Sequence, residues 1–190
     1  MFTSSTVGLY FTRSNLSKVN IFGYSNNGLP GIEILGLGGK GRSLKEKFIY
    51  LFRSQNRTIP LKRYVLVIEG LESVKKLLWE DLRWLELPIY LLLCSLCKFI
   101  PIKKLDNCLA VGKVDIDGHI TTLILDLKHD NLFLNNHILF SRYIGKISDS
   151  FLKEQKEIPL EEIFLDFPLH KISYEVWTKN LLDGKCFKKV

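Results

Sequence analysis

The apolar positions divide the chain into short extended runs and a few helical stretches. Thr6–Thr12 is rich in β-branched and aromatic residues and predicts a strand. Leu16–Tyr24 predicts a second, with an imperfect alternation of Val19 and Ile21 against their neighbours. Ser25-Asn26-Asn27-Gly28 predicts a turn, because Asn and Gly tolerate positive φ. Gly31–Leu37 predicts a third strand, and the three together predict an antiparallel opening to a sheet. In Ser43–Ser54 the residues Leu44, Phe48, Leu51 and Phe52 recur at helical spacing, so one helical face is apolar. Tyr64–Ile68 is a continuous apolar run, as in a strand covered on both faces.

Further on, Leu71–Trp84 mixes charges with Leu and Trp and predicts a partly helical excursion. Leu87–Lys98 is apolar all round, as a buried helix is, and Pro88 fits its first turn. Leu109–Val114 and His119–Leu125 predict a hairpin about Asp117-Gly118. His137–Tyr143 predicts another strand and Ser148–Glu157 a polar helix. Ser173–Asp183 predicts a final helix, with Gly184 in the C-cap position. The order of elements indicates an α+β class, a mixed sheet with helices packed mainly on one face.

Composition fits this picture. A chain of 190 residues with 46% hydrophobic and 25% charged residues can build a core and is not disordered. The longest apolar stretch, Ile89–Cys97, is shorter than the roughly 20 residues a membrane span needs. The opening residues lack the basic and apolar regions of a secretory leader. Four cysteines in such a chain are expected to stay reduced, and a cytoplasmic location without membrane attachment follows as an expectation.

Charge changes the picture more. The net charge is +7, and Lys40, Arg42, Lys45, Lys47, Arg53, Arg57, Lys62 and Arg63 lie within one segment opposed by Glu46 alone. Such a concentration attracts phosphate backbones or acidic partners. On the predicted helix Arg42, Lys47 and Arg53 are expected to point away from the apolar face.

Other motifs carry less chemistry. Gly36-Leu37-Gly38-Gly39-Lys40-Gly41-Arg42-Ser43 fails as a phosphate loop, since Gly41 stands where Ser or Thr must follow the Lys. It reads as a connector into a helix whose free amides could hold a phosphate weakly. Cys94 and Cys97 form a CxxC inside the apolar helix with no second ligand pair, so core thiols are expected. Asp115-x-Asp117-Gly118 lacks the rest of a calcium loop. His119, His129, His137 and His170 have no metal-ligand spacing, and no cofactor or metal is expected.

Four segments, in order, resemble the N-terminal Lon-protease-like domain of the ComM, or magnesium-chelatase-like, AAA+ family. They are Asn27-Gly28-Leu29-Pro30 with Ile34-Leu35-Gly36-Leu37; Lys45-Glu46-Lys47 through Arg53 to Pro60, Lys62 and Arg63; Glu86-Leu87-Pro88-Ile89; and Val111 through Gly118. Gly38, Gly39 and Lys113 depart from the family pattern, and nothing after Asp126 aligns with it beyond a faint likeness of Asp166–Lys185 to the passage toward the family's ATPase module. The resemblance implies a Lon-protease-like fold over 1–126, with 127–190 a divergent part of the same domain or an appended helical element. It also implies a relation to DNA branch-migration motors of natural transformation, without their AAA+ engine.

A Lon-type peptidase needs a Ser nucleophile and a Lys base. Asp81–Glu86, where the resemblance would place the Ser, contains none, and Thr121-Thr122-Leu123 stands at the Lys-bearing segment. The expectation is therefore a non-catalytic module that binds DNA weakly through phosphate contacts at the eight basic residues. The alternative is a protein-interaction or self-association module left from an eroded AAA+ protein.

Overall fold

The structure, a computed structural model, describes residues 1–11, 16–71, 77–125, 140–147, 156–167, 170–180 and 184–189. Strand β1 (Phe2–Phe11) pairs antiparallel with β2 (Leu16–Asn26), from Phe2 opposite Ser25 to Phe11 opposite Leu16. Strand β4 (Arg63–Glu69) lies antiparallel on the other side of β2. Strand β3 (Gly31–Leu35) then pairs parallel with β4. The antiparallel opening therefore holds for β1 and β2 but not for β3, which stands beyond β4 at the sheet edge. Helix α1 (Gly39–Ser54) explains this, because parallel neighbours need a crossover long enough to return the chain to the same end.

On the far side of β1 come β5 (Cys108–Ala110), β8 (Arg142–Ile144) and β10 (Lys156–Ile158), all parallel to their neighbours. A second sheet holds β6 (Gly112–Val114), β7 (His119–Leu125), β11 (Lys171–Asn180) and β12 (Gly184–Lys189), in the order β12-β11-β7-β6, with β9 (Lys146–Ile147) pairing with the end of β7. The strand expected over Leu109–Val114 is thus two strands in two sheets. The chain changes sheet at Val111-Gly112, and a glycine inside a strand-like run is a common mark of such a bend.

The helix expected over Ser173–Asp183 is a strand over the residues described, and Gly184 opens β12 rather than capping a helix. Ile172, Tyr174 and Val176 alternate with Lys171, Ser173 and Glu175, a period of two that suits β-branched and aromatic residues on a pleated surface. Of the helix expected over Ser148–Glu157, 148–155 lie outside the described residues and Lys156 and Glu157 are strand. Of the strand expected over His137–Tyr143, 137–139 lie outside them and the strand begins at Arg142. These strands pair the C-terminal third directly with β5 and β7.

Between β4 and β5 run α2 (Trp79–Leu82), a 3-10 turn (Arg83–Leu85) and α3 (Glu86–Cys97); a short helix α4 (Leu160–Ile163) follows β10. Every residue of α3 is buried, Glu86 and Ser95 included, as a helix that is apolar on nearly all sides requires. The helix stops at Lys98, which takes a left-handed conformation while Phe99 N–H bonds back to Cys94. Phe48 and Phe52 of α1 meet Tyr90 of α3 at ring distances of 5.1 and 5.3 Å, so the two helices lie on the same side of the sheet. Gly8 of β1 lets the 3-10 turn before α3 approach the sheet closely, since a Cβ there would stand 2.9 Å from Leu85. Alternation along β1 sends Tyr10 into the helix-side core, while Leu9 and Phe11 join Trp84, Leu123 and Tyr143 in a second core. The molecule is a mixed α/β assembly with mixed sheets and few helices, compatible with the α+β class.

Candidate nucleic-acid interface

Helix α1 is a ridge between two clefts. Its core row, Leu44, Phe48, Leu51 and Phe52, is buried as the spacing requires. Helical geometry then assigns the flanks, since residues four apart stack on one face. Ser43 and Lys47 line a cleft of about 340 Å³ with Trp79, Arg83, Glu86 and Asp115. Ile49 and Arg53 line another of about 580 Å³ on the opposite flank, with Ile32, Arg57, Ile59 and Lys62.

The local sequence builds the larger cleft. At the end of α1 Asn56 adopts positive φ, Asn56 N–H bonds to Arg53 and Arg57 N–H to Phe52, a Schellman arrangement that turns the chain sharply. The loop therefore returns alongside the helix and brings Arg57 near Arg53. On the far wall, Lys62 is tied by its carbonyl to Gly31 N–H at 3.1 Å, at the start of β3. Arg53, Arg57 and Lys62 thus line the groove together with Ile32, Ile49 and Ile59, and among the described residues no Asp or Glu lines it.

The eight basic residues separate accordingly. Arg53, Arg57 and Lys62 meet at this groove. Arg57 also donates to the Asp166 carbonyl and lies over the Phe167 ring, which fixes its position. Arg42 is exposed on the outer face of α1. Lys45 pairs with Glu46 on the surface at 3.1 Å, and Arg63 with Glu33 at 3.0 Å. Lys40 donates to the Leu77 carbonyl and stands over Trp79.

Lys47 departs from expectation. It does not project outward but binds Glu86 at 2.9 Å, a carboxylate 1% exposed. Lys47 sits three residues after Leu44 and four before Leu51, on the margin of the apolar face, and the carboxylate at the start of α3 draws it in. Glu86 also accepts from Val114 N–H at 2.9 Å and from Arg83 at 3.4 Å, and Arg83 reaches Asp115 and Glu80. Burial pulls the Arg83 pKa down, but Glu86, Asp115 and Glu80 outweigh it and leave it raised. The smaller cleft is therefore floored by a satisfied ion network that joins α1, α3 and β6. The signal for it was a lone carboxylate at the head of an otherwise apolar helix.

The glycine-rich connector is ordered into α1 from Gly39, with Lys40 and Gly41 amides bonded to Leu37 and Gly38 carbonyls, so few amides remain for a phosphate. Cys94 and Cys97 are buried free thiols, and burial pushes Cys97 up to about 12. Asp115 and Gly118 close the β6–β7 turn. Among the described residues no group of three His, Cys, Asp or Glu is placed to hold a metal, and no helix is long and apolar enough to cross a membrane. His129 and His137 lie outside them. No family model matches the chain, and no curated protein matches it.

Proposed function

We propose that the protein is a non-catalytic module that binds nucleic acid through phosphate contacts in the groove beside α1, on a Lon-protease-like fold akin to the N-terminal domain of ComM-type proteins. The observation that supports it is that Arg53, Arg57 and Lys62 line one groove in which, among the described residues, no carboxylate takes part. Cations left without a local anion hold a phosphate with little competition from the protein itself. Contacts to phosphate position a strand without reading its sequence, so binding is weak and sequence-tolerant.

The test is a fluorescence-anisotropy titration of DNA with the intact protein at two salt concentrations. Three phosphate contacts give a slope of log affinity on log salt between about −2 on a single strand and about −3 on a duplex. The double reversal Arg53→Glu/Lys62→Glu removes binding and leaves thermal melting unchanged, because neither side chain is buried. No measurable affinity at low salt, or equal affinity in the variant, sinks the proposal. A protein partner is the second reading, favoured by the exposure of Leu61, which lines the same groove.

A further inference from the structure

Phosphate binding alone leaves one feature of this surface unused. Tyr50 lies three residues before Arg53 on α1, the neighbouring position on a helical surface. It is 54% exposed, whereas Tyr10, Tyr64, Tyr90, Tyr143 and Tyr174 are all buried. The groove that Arg53 lines also holds Ile32, Ile49, Ile59, Arg57 and Lys62. Cations and isoleucines in one groove, with an exposed aromatic ring three residues from Arg53 on the same helix, suit a chain that carries charge and flat apolar faces in alternation.

We infer that the groove takes a single-stranded polynucleotide, with phosphates against Arg53, Arg57 and Lys62 and one base stacked on Tyr50. The inference rests on the nucleic-acid reading and adds strand selectivity to it. In a duplex the base faces are closed against one another, and the Tyr50 ring and the isoleucines find no partner. A single strand offers unstacked bases, and stacking on an aromatic ring tolerates any sequence because every base has a π-face. The same chemistry separates this ligand from an acidic peptide, which brings charge but no aromatic face.

The experiment compares an oligothymidine of about fifteen nucleotides, near the upper end of common single-strand site sizes, with a duplex of equal length. The intact protein, Tyr50→Ala, Tyr50→Trp and Arg53→Glu/Lys62→Glu are titrated against each by anisotropy. The single strand is expected to bind more tightly. Tyr50→Ala weakens it by about fivefold or more, the loss of one stacked base, and leaves duplex affinity unchanged. Tyr50→Trp retains single-strand binding. Because Tyr50 is exposed, neither change threatens the fold, and melting curves check this directly. Equal affinity for both ligands, or a Tyr50→Ala protein that binds the oligomer like wild type, overturns the strand selectivity while leaving phosphate binding intact. Binding to neither, or binding indifferent to the charge reversal, overturns both readings. Polyglutamate held as tightly as the oligomer overturns the assignment to nucleic acid.

Discussion

Replacing Glu86 with Ala removes the acceptor at the centre of the network between α1, α3 and β6. The carboxylate is 1% exposed and accepts from Lys47, Val114 N–H and Arg83. Its loss strands the Val114 amide, which alone costs about 1–3 kcal/mol when buried. It also leaves two cations without their shared anion, and breaking a buried ion pair by removing one partner costs about 3–5 kcal/mol. The Lys47 and Arg83 side chains keep 19% and 22% exposure, so both recover some hydration, and Arg83 keeps Asp115 and Glu80. These offsets place the expected loss near the lower end, about 3 kcal/mol. In a domain of this size that lowers the melting temperature by about 6–12 °C. Glu86→Gln retains an oxygen for Val114 N–H, so it should cost clearly less than Ala. Urea unfolding followed by tryptophan fluorescence, with Trp84 buried beside the network, measures both. A Glu86→Ala protein within 1 kcal/mol of wild type, or a Gln variant as unstable as Ala, refutes the account.

Two further outcomes follow from individual positions. Gly36 has φ 94°, and a Cβ there would stand 2.3 Å from the Ile68 carbonyl oxygen. Gly36→Ala should lower the urea midpoint by the equivalent of about 2 kcal/mol or more, from backbone strain plus the clash, and an unchanged midpoint contradicts the geometry. His170 stacks on Phe164 and Tyr90, and its burial lowers the imidazole pKa to about 4. The folded state therefore binds fewer protons than the unfolded one between that value and the ordinary 6.5. The stability His170 contributes is present above pH 6.5 and is lost as pH falls toward 4. His170→Phe should flatten the pH dependence of unfolding in that interval; the same slope in both proteins would show that other groups cause it.

Much of the fold was legible because it follows from local periodicity. Leu44, Phe48, Leu51 and Phe52 announce α1, the unbroken apolar run announces α3, and Asp117-Gly118 announces the β6–β7 turn. What periodicity cannot express is which strands become neighbours. Gly31–Leu35 reads the same whether it pairs with β2 or with β4, and the helix that follows it decides for β4. The split at Val111-Gly112 depends on a second sheet in which β6 pairs with β7, and β7 in turn takes β11 from far along the chain, Ile172 opposite Ile120. β11 itself was legible in principle, since its alternation has period two. The helix expectation there leaned on Gly184 as a C-cap, whereas Gly184 opens β12.

The basic segment illustrates the same division within the site. A count of charges along the chain treats Lys47 and Arg53 alike, and both belong to α1. They differ by six residues, which on a helix turns them to different flanks. One flank faces the buried Glu86, and a cation there becomes part of the scaffold. The other faces a groove that no described Asp or Glu lines, and a cation there remains available to a ligand. A basic residue that faces a buried carboxylate is thus held by the fold, whereas one that lines an open groove keeps its charge for a ligand. Arg53 and Lys62 are therefore the contacts of the proposed function and Lys47 is part of the scaffold, so replacing Lys47 should change stability before it changes affinity.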